Sequence, residues 1–474
     1  MDASAGRLDF HQRDSDWGAP VEWSKHYFVD DECITECFGD IFPPRPADLL
    51  DLATFAYVAD RLVPRRSGPR SDPFGLNWSR HFKLRVPVRD VDFWNQPAIR
   101  TSLESFLGWL TEDQWTFEFS SRSLPARPSE TTARLFGSID QPEGVALFSG
   151  GLDSLAGAER TLRDAQRPVV LVNAGTNSRM RARARGLAAD LGSRTSSGCR
   201  FLSVPMKLRS VTNPDRHERS QRTRGFIFLT LGAVVANAAD LSELLVFENG
   251  VGAIGLPYSE AQSGARSTRA MHPKTLALAA SLLESVLGKK FTVHNDAQFV
   301  TKAQQVKSLP AGLDALIKRT VSCDTGFVHR ASERPLCGEC TSCLLRRQAL
   351  WAGGLSRVDV EESYRFDVLG CDAGTDERAF NLEAMLIQAA RLHAGLTTES
   401  SWAGLVCAFP ALTQALTGLE MQGIRSDEAR ARLIELFETY VGEWASFPLK
   451  SVRLYLPQVA RNARALELLE GGIR

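Results

Sequence analysis

Val145-Ala146-Leu147-Phe148-Ser149-Gly150-Gly151-Leu152-Asp153-Ser154 runs from four apolar residues into two serines, two glycines and an aspartate. The apolar run predicts a strand buried on both faces, the glycine pair a tight turn, and the residues from Leu152 onward a helix. In that order the elements aim consecutive backbone N–H groups and two hydroxyls at one point, which makes an anion cradle at a helix N-terminus. The loop has no lysine, so it is not the GxxxxGK[ST] phosphate loop. An ordinary glycine-rich βα turn is the alternative. The strand-to-helix context makes the six-residue pattern SGGLDS the more specific reading.

Outward from this stretch, short apolar runs at 145–148, 169–172, 201–204, 244–247 and 291–293 alternate with helical stretches. Strands apolar on consecutive positions and separated by helices imply a parallel sheet covered on both faces, an α/β core. Ligands bind such sheets beyond the carboxyl ends of the strands, where Ser149, Asn173 and Glu248 fall. The core is expected over 141–355. The segment 1–140 has alternating runs at 80–88 and 114–119 that predict strands, and a helix over 47–62 with Asp48 near its start and Pro64 beyond its end. It reads as an α+β or β-rich domain, with a proline-bearing linker at 124–129. The segment 356–474 turns almost wholly helical, with candidates at 377–392, 410–419 and 425–440.

A chain of 474 residues is too long for one core, and Lys plus Arg equals Asp plus Glu at 56 each. That balance removes the broad basic field of a dedicated nucleic-acid binder. The most apolar stretch, 226–247, is interrupted by Asn237, Asp240, Ser242 and Glu243 and fails as a membrane span, and the first residues form no apolar signal core. A soluble, cytoplasmic protein is expected. Of nine cysteines, Cys323, Cys337, Cys340 and Cys343 crowd into 21 positions, the last three as CxxCxxC. Four thiolates at this spacing bind Zn²⁺ tetrahedrally and leave no open coordination position, so zinc here is structural. An iron–sulfur cluster uses the same ligands. Cys33 and Cys37 stand apart and read as packing residues or weakly reactive thiols.

The SGGLDS loop resembles the pyrophosphate loop (PP-loop) of the N-type ATP pyrophosphatases, which cut ATP to AMP and pyrophosphate while adenylating a substrate. The resemblance implies that Ser149 and Ser154 bond pyrophosphate oxygens, that Gly150, Gly151 and Leu152 bring the backbone close, and that Asp153 holds Mg²⁺. Together with the four-cysteine knot and Arg346-Arg347, the core resembles QueC, the 7-cyano-7-deazaguanine synthase family. Arg222-Thr223-Arg224 before an apolar helix looks like the family's arginine segment, and Thr301-Lys302-Ala303-Gln304-Gln305-Val306 like its Ser-Lys-x-Glu-Ile-Val segment. The likeness covers 141–355 and implies a core of the adenine-nucleotide alpha-hydrolase (PP-loop) type. It also implies the family's chemistry: 7-carboxy-7-deazaguanine is adenylated at its carboxyl group, ammonia displaces AMP to give an amide, and a second ATP carries the amide to the nitrile.

By that resemblance Arg224 and Lys302 neutralise charge at the α-phosphate, each with a solvated surface cation as the alternative. Glu248 and Asn249 follow the fourth core strand. There Glu248 suits the N1–H and 2-amino edge of a guanine-like base, while an Asn-Gly turn is the alternative. His272, just ahead of Pro273, reads as a capping or loop residue rather than a base. Two segments depart from the family. The aromatic-glycine segment after the second strand is here Asn173-Ala174-Gly175-Thr176-Asn177, and the arginine segment lacks its usual Pro and Asn. With additions at both ends, these changes resemble the QueC-like proteins of antiviral defence operons, the QatC and type IV CBASS kinds. That implies an acceptor amine on a partner protein encoded nearby. The competing expectations are 7-cyano-7-deazaguanine (preQ0) synthesis from ammonia, a tRNA-modifying PP-loop enzyme, and a non-catalytic nucleotide sensor.

Overall fold

The computed structural model describes residues 5–12, 15–22, 27–29, 33–34, 42–65, 79–122, 130, 141–175, 177–208, 218, 220–258, 269–324, 334–369 and 377–448. The chain begins with β1 (Ala5–Gln12), β2 (Ser15–Glu22), β3 (Tyr27–Val29) and α1 (Pro44–Leu62). There follow β4 (His81–Val88), α2 (Val91–Trp94), α3 (Pro97–Thr111) and β5 (Gln114–Ser121). Four of these strands form a sheet in the order β2-β1-β4-β5, parallel only between β4 and β5. In β4 the apolar residues Phe82, Leu84, Val86 and Val88 all point inward, the period of two that marks a half-buried strand. Helix α1 starts three residues earlier than expected. Pro44 and Pro46 fit its first turn, where a missing N–H costs nothing. Asp48 is buried rather than at the helix start, and accepts the Arg89 N–H at 2.9 Å and Trp94 Nε1–H at 3.0 Å. The expected linker at 124–129 and Cys37 lie outside the described residues.

The central sheet carries the core. Its elements are β6 (Gly144–Leu147), α4 (Leu152–Asp164), β7 (Val169–Gly175), α5 (Ser178–Gly192), β8 (Cys199–Leu208), α6 (Arg224–Ala238), β9 (Glu243–Val246), α7 (Gly250–Ile254), α8 (Pro273–Leu287) and β10 (Thr292–Asn295). The strand order is β10-β9-β6-β7-β8-β3, with all pairs parallel except β3 on β8. The α/β parallel sheet read from the apolar runs is therefore the architecture of this region. Successive residues feed two cores. Val145, Val170, Val172, Val204, Leu244 and Val246 pack against α6 and α8, while Ala146, Val169, Leu171 and Phe148 pack against α4 and α5. After β8 the chain crosses to the other side of β6, so the order reverses between β6 and β9. These two strands share the single register pair Ala146–Leu245. A reversal of this kind opens a crevice at the carboxyl ends, where α/β folds bind ligands.

Beyond the sheet lie α9 (Lys302–Lys307), α10 (Asp314–Arg319) and α11 (Thr341–Ala352), then α12 (Phe380–Leu396), α13 (Ser401–Ala408), α14 (Leu412–Met421) and α15 (Ser426–Ala445). The last four form a helical region with its own core. Leu433, Leu436 and Phe437 join that core with Val251, Ile254 and Leu256 from around α7 and Leu344 and Leu345 from α11. The N-terminal flank shares a core with one face of the central sheet, through α1 and α3 against α6 and α8. This explains why α6 is apolar all round: it is covered by the sheet on one side and by α1 on the other. Among the described residues no single helix is long and apolar enough to cross a membrane.

Candidate active site

The loop between β6 and α4 sits at the crevice. Gly150 has φ +79°, the left-handed region, and a Cβ there would lie 3.2 Å from Ala184 Cα, so both conformation and space ask for glycine. Three successive N–H groups turn onto three hydroxyls: Gly150 donates to Ser154 Oγ at 3.1 Å, Gly151 to Ser149 Oγ at 3.2 Å and Leu152 to Ser322 Oγ at 3.3 Å. Ser149 and Ser154 hydroxyls are themselves 3.2 Å apart. A third glycine governs approach. A Cβ at Gly157 would fall 2.1 Å from the Phe247 ring, so only glycine lets α4 lie against the residue that follows β9. That contact brings Asp153 to the Glu248 turn.

Asp153 is the centre of the polar group there. It is 9 % exposed, and its Oδ2 accepts from Lys302 Nζ and from Asn249 Nδ2 at 3.3 Å. Its Oδ1 is buried and accepts from no N–H or hydroxyl among the described residues, while the Glu248 carboxyl shares a hydrogen bond with the Asp153 carboxylate. Asn249 Nδ2 also reaches Glu248 Oε1 at 3.1 Å, while its Oδ1 caps α7 through the Gly252 N–H at 2.9 Å. Asn295, at the end of β10, holds the Glu248 backbone at both N–H and C=O. Burial first, and then the neighbouring Asp153 carboxylate, push the Glu248 carboxyl up to about 8, against the pull of Lys302. Lys302 owes its position to local sequence. Thr301 and Gln304 form a capping box at the head of α9, which fixes the first turn and aims the lysine at Asp153. At 6 % exposure it is not a solvated surface cation.

Ser149 to Ser154, Glu248, Asn249 and Lys302 thus converge. The other expected residues take different places. Asn173 is buried and donates from Nδ2 to the Phe148 carbonyl at 2.8 Å, bracing the loop from behind. Arg224 stands at the head of α6 with its guanidinium 4.9 Å over the Phe228 ring, beside Tyr57 and Arg61 of α1, where burial lowers its pKa. His272 caps α8, with Nδ1 accepting the Lys274 N–H at 3.1 Å. Ser322 and Asn295 were not foreseen from the sequence.

The four cysteines come together as their spacing predicts. All are buried, and their Sγ atoms lie within 4.8 Å of one another, with Cys337–Cys343 at 3.8 Å and Cys340–Cys323 at 4.0 Å. Zn–S bonds of about 2.3 Å place tetrahedral thiolates about 3.8 Å apart. The set therefore fits a single zinc ion, and a cluster of several irons would need the sulfurs spread wider. Gly338, at φ +90°, lets the knuckle turn where a Cβ would strike the Phe366 carbonyl oxygen at 1.8 Å. Zinc would act here as a clamp, tying α11 to the segment before Cys323. That segment touches the glycine loop, since Val321 N–H donates to the Gly150 carbonyl at 3.3 Å.

The family model described as QueC, Queuosine biosynthesis protein QueC, matches residues 211–353. The matched segment is under a third of the chain and contains Arg224, Glu248, Asn249, Lys302 and all four cysteines. The glycine loop and both flanks lie outside it. The match supports a QueC-like family, with a parallel-sheet fold of the PP-loop type and an ATP-using enzyme that acts on a small molecule. No curated protein matches the chain.

Proposed function

We propose that this chain adenylates the carboxylate of a 7-deazaguanine-type molecule, releasing pyrophosphate from ATP, and passes the activated acyl group to an amine. The observation that carries the reading is Asp153 Oδ1, which accepts from no N–H or hydroxyl among the described residues and is buried at the head of α4 beside the three N–H donors of the glycine loop. A carboxylate with a free buried oxygen next to an anion cradle suits a divalent cation brought in with a triphosphate. Asp153 would hold Mg²⁺, which supplies charge neutralisation on the phosphates when bound. Ser149, Gly150, Gly151, Leu152 and Ser154 would receive the β- and γ-phosphates.

A carboxylate is a poor electrophile until its oxygen becomes part of a phosphate leaving group. As the substrate oxygen bonds to the α-phosphorus and the bond to the β-phosphate oxygen breaks, negative charge grows on the departing pyrophosphate. Lys302, its helix head fixed by the capping box and its ammonium on Asp153, would neutralise that charge. Glu248 and Asn249 at the end of β9 stand where a purine-like base would be read. A Glu248 carboxyl that keeps its proton to about pH 8 would donate to a base oxygen as readily as an ionised one accepts from ring N–H groups. Arg224, packed on the Phe228 ring beside Tyr57 and Arg61 of α1, takes no part in this reading.

Two acceptors remain. The family match favours ammonia and the nitrile product. The flanks 1–140 and 356–474, which that match does not include, and the altered segment after β7 favour an amine on a partner protein, as in the defence-operon relatives that the sequence resembles. The deciding experiment supplies ATP, Mg²⁺ and 7-carboxy-7-deazaguanine and follows AMP and pyrophosphate. AMP with pyrophosphate, lost in D153N, is the expected result. ADP as product would overturn the reading. Nitrile formed with ammonia alone identifies the first acceptor; a deazaguanine-sized mass on a co-expressed neighbouring protein identifies the second.

A further inference from the structure

We propose that Ser322, which directly precedes the first cysteine of the thiolate cluster, is a phosphate-contacting residue of the nucleotide site, carried into the glycine loop by the metal clamp. The inference rests on the reading of that loop as an ATP site. Leu152 N–H opens a helix of 13 residues and has no intrahelical partner, yet its acceptor comes from 170 residues away, at Ser322 Oγ. The neighbouring Val321 N–H fixes the same segment across the loop backbone at Gly150. A Cβ at Gly151 would lie 3.3 Å from Ser149 Oγ and 3.8 Å from Ser322 Oγ, so both hydroxyls face one small space. Val321 and Cys323 are buried, whereas Ser322 between them is partly exposed, toward that space. Independently, the next residue of the helix, Asp153, is nine-tenths buried, with Oδ1 accepting from no N–H or hydroxyl among the described residues.

A neutral hydroxyl is a weaker acceptor for a helix-head N–H than a phosphate oxygen, whose bond is charge-assisted. When a phosphate arrives, Leu152 N–H passes to it. The Ser322 hydroxyl, both donor and acceptor, rotates to donate to a phosphate oxygen. Ser322 then stands beside Ser149 and Ser154 as the third hydroxyl of the cradle. A metal on the four thiolates would act on nucleotide binding by holding this residue in register.

The test measures calorimetric binding of MgATP, magnesium pyrophosphate and AMP to the full chain. Wild type, S154A, S322T and two hydroxyl-free variants, S322A and S322G, are compared, with the zinc-to-protein ratio of each. Both hydroxyl-free variants should bind MgATP and pyrophosphate about tenfold more weakly, as loss of one charge-assisted bond predicts. AMP affinity and zinc content should be unchanged, and S322T should restore binding. If S154A loses affinity while S322A and S322G keep it, the inference fails and the ATP reading stands. If wild type binds neither MgATP nor pyrophosphate, both fail. An equal loss on AMP, or a lowered zinc ratio in both hydroxyl-free variants, would also overturn the inference, because the hydroxyl would then serve the fold or the clamp.

Discussion

Asp60 in the N-terminal flank and Glu443 in the C-terminal flank each brace a segment of the central core, yet only Asp60 is matched by a cation. Asp60 is fully buried. Arg80 Nη2 donates to its Oδ1 at 2.6 Å, and Thr223 donates to its Oδ2 through both N–H at 3.1 Å and Oγ1 at 2.9 Å. Glu443 is partly buried and is held by the Thr301 hydroxyl and by Gln348 Nε2 at 3.1 Å, with no ion pair among the described residues. The first anchors the head of α6, where Arg224 sits; the second anchors the capping box that aims Lys302. The same job is thus done by a compensated charge network on one side and by neutral hydrogen bonds backed by an apolar core on the other.

This contrast makes D60N the most damaging of the small changes. The introduced amide would turn its N–H₂ toward either the Arg80 guanidinium or the Thr223 N–H, donor against donor. Of its two carboxylate partners Arg80 would keep only Asp113, at 2.7 Å, beside the backbone carbonyls of residues 60 and 63. Breaking one arm of a buried ion pair costs about 3–5 kcal/mol. Denaturant unfolding should show a loss of that order, and hydrogen exchange should rise at 220–228 well before it rises at 302–307. A loss under about 1 kcal/mol would mean that Asp113 alone satisfies Arg80, and the charge network would no longer distinguish the two flanks.

The flanks meet at the loop ahead of α8. His272 stacks edge-on to Trp109 of α3 at 5.1 Å, and Lys274 Nζ lies 4.4 Å over the same ring while donating to Gln414 Oε1 of α14 at 2.7 Å. Burial, and then Arg269 and Lys274, lower the His272 pKa to about 3, so the folded imidazole stays neutral and keeps Nδ1 as a cap. In the unfolded chain the ring takes up a proton near pH 6.5. Below that pH the unfolded state binds more protons, so this residue's contribution is complete above about 6.5 and declines as pH falls toward 3, by roughly 1.4 kcal/mol per unit. H272N, which preserves an N-cap, should flatten the stability profile over that range. An unchanged slope would show that the ring titrates freely in the folded protein.

Much of this was legible in short-range pattern. The five apolar runs gave the parallel strands, the glycine turn gave the cradle, and CxxCxxC with an upstream cysteine gave the thiolate cluster, because each is a local signal whose spacing carries its geometry. What escaped depends on distant pairing. Ser322 meets Leu152 only because the sheet and the clamp fold them together, and no property of a single serine announces that. Asp48 looked like a residue of the first turn, but it turns inward to the Arg89 and Asp90 backbone because the prolines move the helix start upstream. The stretch 226–247 reads as an apolar helix too interrupted to span a membrane, but no local signal says what covers such a helix on both sides, here the sheet and α1 of the N-terminal flank.

The same carboxylate-to-amide change at Glu443 should have the opposite sign to D60N. Burial raises the Glu443 pKa, and its two hydrogen-bond donors only partly offset this. A carboxyl raised in the folded state lends stability that is complete below its unfolded pKa and is lost as pH climbs through the folded value. E443Q removes that loss. The new amide oxygen still accepts from Thr301. Gln348 Oε1, buried without a partner, gains a donor if its own amide turns over. E443Q should therefore be neutral below about pH 4 and stabilising by up to about 1 kcal/mol near pH 7, with the capping box and Lys302 undisturbed. Unfolding curves at the two pH values measure both signs at once. Destabilisation at pH 7 would reveal a cation partner for Glu443, and the two flanks would then hold the site by the same means.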